Sequence, residues 1–432
     1  MSGELMVLAD GCRMGRVVQS GQKLAFHYDP SWLDRPGAFP LSISMPMVVT
    51  SHGHAAVDSF LWGLLPDSEA ILERWGRRFQ VSPRNAFQLL THVGEDVAGA
   101  VQFVRPERMP GIEGTEEIPS VTWLDDASLE ERIHLLLADA SASRMARDHG
   151  QFSLAGAQPK TALYLAPETG RWGVPEGRTP TTHILKPATG AFDGFAENEH
   201  FCLRLAAGLG LPTALSRVIR CGDVRVIVVT RYDRAVRDGK VHRLHQEDFC
   251  QALSIRPQAK YQNQGGPSVK DIAGVLWDQS SNPLEDVWHF ADALALNWLI
   301  AGTDAHAKNY SLLLGPSGHA RLAPLYDLAS SLPYPNHISP QKATLAMRIG
   351  RDYRVRDIRR SNWETCAREL RVPVADLLER LIILANQIPA LAFDCAASLV
   401  GEGLGGGFLP QLAESVIQNA ARCLAVIRTD TP

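Results

Sequence analysis

The sequence predicts an α+β fold in two parts, a mixed α/β part that comes first and a mainly helical part that follows. Three observations predict it. Short β-branched and apolar runs, such as Thr182-His-Ile-Leu-Lys186 and residues 224–230, crowd the stretch from Ser153 to Tyr232 and read as strands. Beyond Gln246 the apolar residues recur at helical spacing instead. The chemistry-bearing segments then come in a telling order: a loop of small residues, a strand ending in Lys, a helix carrying Glu, a linker strand, a loop with Asp and Asn, and a second Asp. That is the order of a two-lobed kinase-like fold.

The first hundred residues read as short strands and helices. Leu24-Ala-Phe-His-Tyr28 alternates as a strand does, and residues 70–79 carry a helical pattern. This extra N-terminal subdomain is placed at residues 1–105. Residues 106–119, with Pro106, Pro110, Gly111 and Gly114 among acidic residues, read as a surface loop or linker. The first lobe region is placed at 106–245; its strands are interrupted by the helical spacing of Asn198-Glu199-His-Phe-Cys-Leu-Arg-Leu-Ala-Ala-Gly208. Residues 246–432 form the helical lobe. There Ser281-Asn282-Pro283 supplies an N-cap and a first-turn proline, and Val287, Phe290, Leu294 and Trp298 line one helix face. Residues 374–387 and 410–427 continue the helical pattern.

The run Ala301-Gly-Thr-Asp304-Ala-His306-Ala-Lys308-Asn309-Tyr310 is followed, eighteen positions after Asn309, by Asp327. An Asp, an Asn five positions on and a second Asp are what a kinase uses to orient a hydroxyl nucleophile and hold magnesium on ATP. Lys186, at the end of an apolar strand closed by Pro187, is a candidate for the cation that meets the nucleotide phosphates; solvent is the usual fate of such a Lys. Ser153-Leu-Ala-Gly-Ala-Gln-Pro-Lys160 could curl its amides around phosphate, although it fits neither a Walker loop nor Gly-x-Gly-x-x-Gly.

Taken with Pro180-Thr-Thr-His-Ile-Leu-Lys186, Thr230-Arg-Tyr-Asp-Arg234, Gln246-Glu-Asp-Phe-Cys-Gln251 and Pro324-Leu-Tyr-Asp327, these motifs resemble the HipA family of serine/threonine kinase toxins of type II toxin–antitoxin systems. Leu41-Ser-Ile-Ser-Met-Pro46, Leu64-Leu-Pro-Asp-Ser68 and Gly94-Glu-Asp-Val-Ala-Gly-Ala100 extend the resemblance to the N-terminal subdomain.

The resemblance implies ATP and Mg²⁺ as cofactors, and it implies roles. Ala155, Gly156, Ala157, Gln158, Pro159 and Lys160 would form the phosphate loop, and Lys186 would reach the α- and β-phosphates with Glu199 as its partner. Thr230, Arg231 and Tyr232 would be the hinge against adenine, through backbone groups, so that side-chain identity matters little; better-known members carry Glu where Thr230 stands. Asp304 would be the general base, His306, Ala307 and Lys308 would lie at the phosphates, Asn309 and Asp327 would hold the metal, and Tyr326 would sit beside the nucleotide. Ser153 would be the autophosphorylation site, since a phosphate adds about −1.5 to −2 charges where those of ATP must sit. The implied partners are a small helix-turn-helix antitoxin like HipB, operator DNA through that antitoxin, and an aminoacyl-tRNA synthetase as substrate, with growth arrest and persistence as the outcome. The antitoxin is expected from the resemblance across the N-terminal subdomain, around residues 41–46 and 64–68, which a bare kinase would not need.

With 432 residues, 45% hydrophobic content and a net charge of −4, the chain offers no electrostatic case for binding nucleic acid by itself. Seven cysteines without a Cys-x-x-Cys suit free thiols in a reducing compartment. A cytoplasmic protein without membrane partners is expected, the longest apolar run being residues 381–385. His52-Gly-His54 reads as a loop and Gly401-Glu-Gly-Leu-Gly-Gly-Gly407 as a flexible helix connector. Two other functions stay open on the residues alone: a kinase of a small molecule or lipid head group, and a non-catalytic co-repressor bridging a DNA-bound partner.

Overall fold

The structure, a computed structural model, describes residues 2–111, 120–145, 148, 152–156, 158–188 and 193–429. It has the α+β class expected, and it divides into two compact units that are not consecutive blocks of sequence.

The first unit comprises Met1–Pro187, Ile219–Gln258 and Leu312–Ala320. Its N-terminal sheet runs Ser51–His52, Lys23–Tyr28, Cys12–Ser20, Ser2–Ala9, Val101–Val104, every neighbour antiparallel. The alternation of Lys23–Tyr28 buries Leu24, Phe26 and Tyr28. Helices His54–Gly63, Glu69–Phe79 and Ala86–Val93 supply Phe60, Leu61, Trp75, Phe87 and Leu90 to the same core. Each such side chain contributes roughly 1.5–3 kcal/mol by leaving water. His52 and His54 are not in a loop. They flank the junction of a strand and a helix, where His52 Nε2 meets Pro46 O at 3.1 Å and His54 Nδ1 accepts from Leu24 N at 3.3 Å.

A second sheet has the order Ser216–Cys221, Val224–Thr230, His183–Pro187, Thr161–Leu165, Trp172–Pro175, Val121–Trp123. Helix Asp126–Ala138 covers it with Leu129 and Ile133 against Leu163, Val174, Leu185 and Val228. Residues 106–111 are a 3₁₀ turn, and 112–119 lie outside the described residues. Strand His245–Asp248 leads into Phe249–Ala252, opened by a capping box of Asp248 and Gln251. Gln251 Nε2 donates to Phe60 O at 3.0 Å, and the Gln251 side chain lies 2.5–2.9 Å from where a Cβ on Gly63 would stand, so that position needs glycine.

The second unit comprises Ala188–Val218, Ala259–Ser311 and Arg321–Pro432. Its central helix, Pro283–Leu299, starts with proline in the first turn and buries Val287, Phe290, Leu294 and Trp298 as the sequence implied. Two later helices, Val374–Gly401 and Phe408–Thr429, pack on each other and on it. The first of these runs on through Pro389, where the sequence reading stopped at residue 387. Proline forgoes one backbone bond, but the buried row Leu381, Leu384, Ala385, Ile388, Ala392, Ala396 and Leu399 continues past it and holds the helix. By length and composition alone this helix could cross a membrane, its most apolar window having mean hydropathy 1.5. Glycine-rich residues 401–407 join the pair. Unexpected in this half of the chain is a hairpin of Thr344–Ile349 and Asp352–Arg354. No cysteine among the described residues forms a disulfide.

Candidate active site

In the second unit the central helix delivers its C-terminus to the loop at 301–310. Asn419 Nδ2 caps the helix by donating to Trp298 O at 3.1 Å and Leu299 O at 2.7 Å, satisfying carbonyls that the helix itself leaves orphaned. Ala301 then turns into the left-handed region at φ +51°, and Gly302 N donates back to Asn297 O at 2.7 Å. A Cβ on Gly302 would stand 2.2 Å from Asn297 Oδ1, so this position too needs glycine. Asn297 Nδ2 also reaches Tyr310 Oη at 3.2 Å, closing the far end of the loop.

Inside it, His306 N donates to Asp304 O at 2.8 Å, Asn309 N to His306 O at 2.8 Å, and Asn309 Nδ2 to Asp304 O at 2.8 Å. The Asp304 side chain is 69% exposed, whereas His306, Ala307, Lys308 and Asn309 are buried. Tyr261 Oη donates to Asp304 Oδ1, and His306 Nε2 stands 4.0 Å from the same oxygen, its ring edge-on to Tyr261 at 5.0 Å. Tyr326 Oη donates to Lys308 O at 2.7 Å and so accepts from Ser311 Oγ at 2.6 Å; its hydroxyl braces the loop. Asp327 has φ +57°, a left-handed conformation that Asp tolerates better than most residues. The chain beyond it is pinned: Ser330 Oγ donates to Ile300 O at 2.7 Å and Ser331 Oγ to Ala301 O at 2.8 Å. Asn198 donates to Ser330 O at 2.8 Å and accepts from Ser330 N at 3.0 Å.

Asn309 and Asp327 fit Mg²⁺ in donor type. Both offer oxygens, the hard ligands that cation takes alongside phosphate and water. Because Asn309 Nδ2 is committed to Asp304 O, its Oδ1 is the end left for a cation. Among the described residues no group of three or more His, Cys, Asp or Glu forms a closed metal cage.

In the first unit, the loop after Phe152 is clamped by the N-terminal subdomain. Ser153 N donates to Asp96 O at 3.0 Å and Asp67 N to Gly156 O at 3.3 Å, while Ser153 is fully buried with its Oγ on Leu64 O at 2.7 Å. Gly156 takes φ +109°, and Lys160 Nζ folds back onto Ala155 O at 2.6 Å, 2.3 Å from where a Cβ on Gly156 would be. Gln158 and Pro159 are half-buried, and Ala157 lies outside the described residues. Lys186 is buried on its strand, in register with Ile227. Glu199 is buried on helix Phe195–Gly208 of the other unit.

At 230–232 the side chains have structural work that the sequence reading did not give them. Arg231 is buried, donates twice to Asp233 (Nε to Oδ1 2.9 Å, Nη2 to Oδ2 2.7 Å), and reaches Thr181 Oγ1 at 2.8 Å and Val97 O at 2.9 Å. Its N–H is already bonded to Thr182 O at 2.9 Å. Asp96 collects Arg234 Nη2 at 3.0 Å, Arg243 Nη2 at 3.4 Å and Thr181 Oγ1 at 2.7 Å. Burial alone would raise the Asp96 pKa; Arg231, Arg234 and Arg243 outweigh it and hold the carboxyl well below its usual range. Thr230 and Tyr232 are half-buried, Tyr232 Oη donating to Gln246 Oε1.

Sequence profiles of two domains match this chain: the HipA N-terminal domain over residues 5–104 and the HipA-like C-terminal domain over 152–391. Y4mE of Sinorhizobium fredii, named as a proposed kinase, is 37% identical over 385 residues, covering 88% of this chain and 89% of that one. The chain belongs to the HipA family. The serine/threonine-protein kinase toxin HipA of Shewanella oneidensis is 30% identical over 382 residues, covering 84% of this chain and 82% of its own. A solved structure of a Shewanella oneidensis HipA with HipB and its operator DNA shares the fold, with TM-score 0.82 at 24% identity over 98% of each chain. As a HipA-family member the chain is a protein serine/threonine kinase. The HipA-like C-terminal match spans every candidate residue from Ser153 to Asp327. Reading the sequence missed Tyr261, Asn198 and the Asp96–Arg231–Arg234 network. Residues 94–100 and 230–234 were picked out as motifs, but nothing in them shows that Asp96, Arg231 and Arg234 meet, and each of the missed residues acts on a segment distant in sequence.

Proposed function

We propose that this HipA-family kinase is the toxin of a type II toxin–antitoxin module, transferring the γ-phosphoryl group of ATP, with Mg²⁺, to a serine or threonine of a protein. The observation that supports it most is the loop at 301–310, where Asn309 bonds the Asp304 backbone and Tyr261 bonds the Asp304 carboxylate. In this proposal Asp304 accepts the substrate hydroxyl proton, and Asn309 and Asp327 hold the metal. The cation, when bound, neutralises charge developing on the transferred group. Lys186, partnered by Glu199, takes the α- and β-phosphates; Ala155 to Lys160 offer backbone amides and an ammonium, with His306, Ala307 and Lys308 contributing from the other loop. Thr230 and Tyr232 meet adenine with Tyr326 nearby, while Arg231 fixes the course of the hinge. The layout 1–105, 106–245 and 246–432 serves this division of labour, and the setting is the cytoplasm.

The proposed substrate is an aminoacyl-tRNA synthetase, so that translation and growth stop. Ser153 is proposed as the autophosphorylation site: a phosphate there could not keep the buried bond to Leu64 O, and the loop would have to leave. A small helix-turn-helix antitoxin is the proposed partner and the route to operator DNA. Residues 42–45 and 64–67 have internal duties that were not foreseen, holding residues 247–251 and the phosphate loop. The antitoxin surface need not include them.

Labelling a lysate of growth-arrested cells with γ-labelled ATP and the purified kinase tests the substrate. One dominant acceptor that proves to be a synthetase supports the proposal, and labelled lipid or small molecules instead of protein would refute it. Mobility-shift titrations test the partner: the kinase alone should bind duplex DNA weakly and join it in the antitoxin's presence.

A further inference from the structure

Asp304 has the problem of any exposed base. At 69% exposure its carboxylate can turn among rotamers, yet proton transfer needs one oxygen aimed at the nucleophile within hydrogen-bond reach. Tyr261, forty-three residues upstream, supplies the constraint by donating to Oδ1.

The loop carrying Tyr261 is built for this. Gln264 N and Gly266 N both donate to Tyr261 O, at 2.9 and 3.0 Å, closing a tight turn around its backbone. Gly265 adopts φ +91°, and a Cβ on Gly266 would stand 2.2 Å from Ala259 O and 2.7 Å from Tyr261 O, so the turn requires both glycines. Ala307 N donates to Lys260 O at 3.4 Å, tying the turn to the loop that carries Asp304, and Gln262 Oε1 accepts from Arg348 N at 2.9 Å on its other side. The Tyr261 ring rests on the edge of His306, with Lys260 Nζ 5.5 Å from its centre.

We propose that Tyr261 is a positioning residue of the phosphotransfer reaction: it commits Oδ1 of Asp304 and thereby aims Oδ2 at the substrate hydroxyl. The proposal rests on the reading of Asp304 as the base. In the step itself the substrate oxygen bonds to the γ-phosphorus, the bond to the β-phosphate oxygen breaks to release ADP, and the substrate proton passes to Asp304 Oδ2. Tyr261 keeps its own proton throughout. This is the logic of a base held by a third group.

The test is Tyr261→Phe in the full-length chain, measured by steady-state phosphotransfer and thermal melting. Misaiming a base costs on the order of ten- to a hundredfold in rate, so kcat should fall by about that factor, with KM for ATP and the melting temperature unchanged. An unchanged kcat overturns the proposal, and so does a fall matched by weaker ATP binding or a lower melting temperature, which would mark a structural role only. If the wild type itself transfers no phosphate, the reading of Asp304 fails separately. Crystal structures of wild type and variant then decide the positioning claim: a turned Asp304 carboxylate in the variant supports it, and an identical rotamer contradicts it.

Discussion

Asn198 exchanges two hydrogen bonds with one backbone unit, Nδ2 donating to Ser330 O at 2.8 Å and Oδ1 accepting from Ser330 N at 3.0 Å. The contact joins helix Phe195–Gly208 to the chain just after Asp327, so the left-handed Asp327 is braced on both sides of its turn.

Replacing Asn198 by Ala leaves a buried N–H and a buried C=O without partners, each costing about 1–3 kcal/mol. Asn198→Ala should lower the melting temperature and also weaken Mg²⁺-dependent ATP binding, since Asp327 loses its brace. Calorimetric titration of ATP with and without Mg²⁺ checks the second effect. Unaltered metal dependence would separate Asn198 from the site.

A second prediction concerns the buried charges beside residues 230–234. Asp96 faces Arg234 and Arg243 directly, with Arg231 3.8 Å away, and removing its charge strands guanidinium groups in the interior. Asp96→Ala should destabilise by about 3–5 kcal/mol, measured by urea unfolding. The pH dependence has a definite sign. Burial would raise the pKa of Asp233, but Arg231 and Arg234 bring it down from 3.8 to about 2, and Asp96 is held low by the same groups. Their contribution is complete above roughly pH 4 and is lost as the pH falls towards 2. Stability that is flat over that window would contradict the network.

These residues show where legibility ended. The strand of Lys186, the helix with Trp298 and the order of motifs could be read because each depends on near neighbours in the chain. Residues 94–100, 181 and 230–243 form one buried network whose members lie up to 147 positions apart, as Asp96 and Arg243 do. Periodicity says nothing about such pairs. In the same way Thr230-Arg-Tyr-Asp-Arg234 was legible as a motif, while the work of its two arginines was not. The helical run from Val374 was read too short for the opposite reason: the proline at 389 does not end it, because the buried row around it holds the helix on to Gly401.

Glu247 gives a third prediction. It is fully buried, accepts from Ile43 N at 2.7 Å, and burial pushes its pKa up from 4.5 to about 8, against the opposing pull of the Ile43 N–H. A folded pKa above the unfolded one means its contribution is fully present below about pH 4.5 and lost as the pH rises through 8. Glu247→Gln, which cannot ionise, should therefore gain stability relative to wild type as the pH is raised from 5 to 9. Parallel melting curves across that range would show the gap widening.

Ser153 gives a fourth. After incubation with ATP and Mg²⁺, intact-mass and peptide mapping should place one phosphate there, and the modified protein should bind ATP poorly. Ser153→Ala should lack that phosphate yet still fold, since only the bond to Leu64 O is removed. Phosphate found solely at other residues would refute the assignment.

The central claim is that the loop at 301–310 performs phosphoryl transfer with Asp304 as base. The most direct measurement is transfer of label from γ-labelled ATP to protein by wild type and by Asp304→Ala, both confirmed folded by circular dichroism and melting. The account predicts a loss of about 10²–10⁴ in rate for the variant at unchanged stability. Transfer by a folded Asp304→Ala protein at the wild-type rate would contradict it.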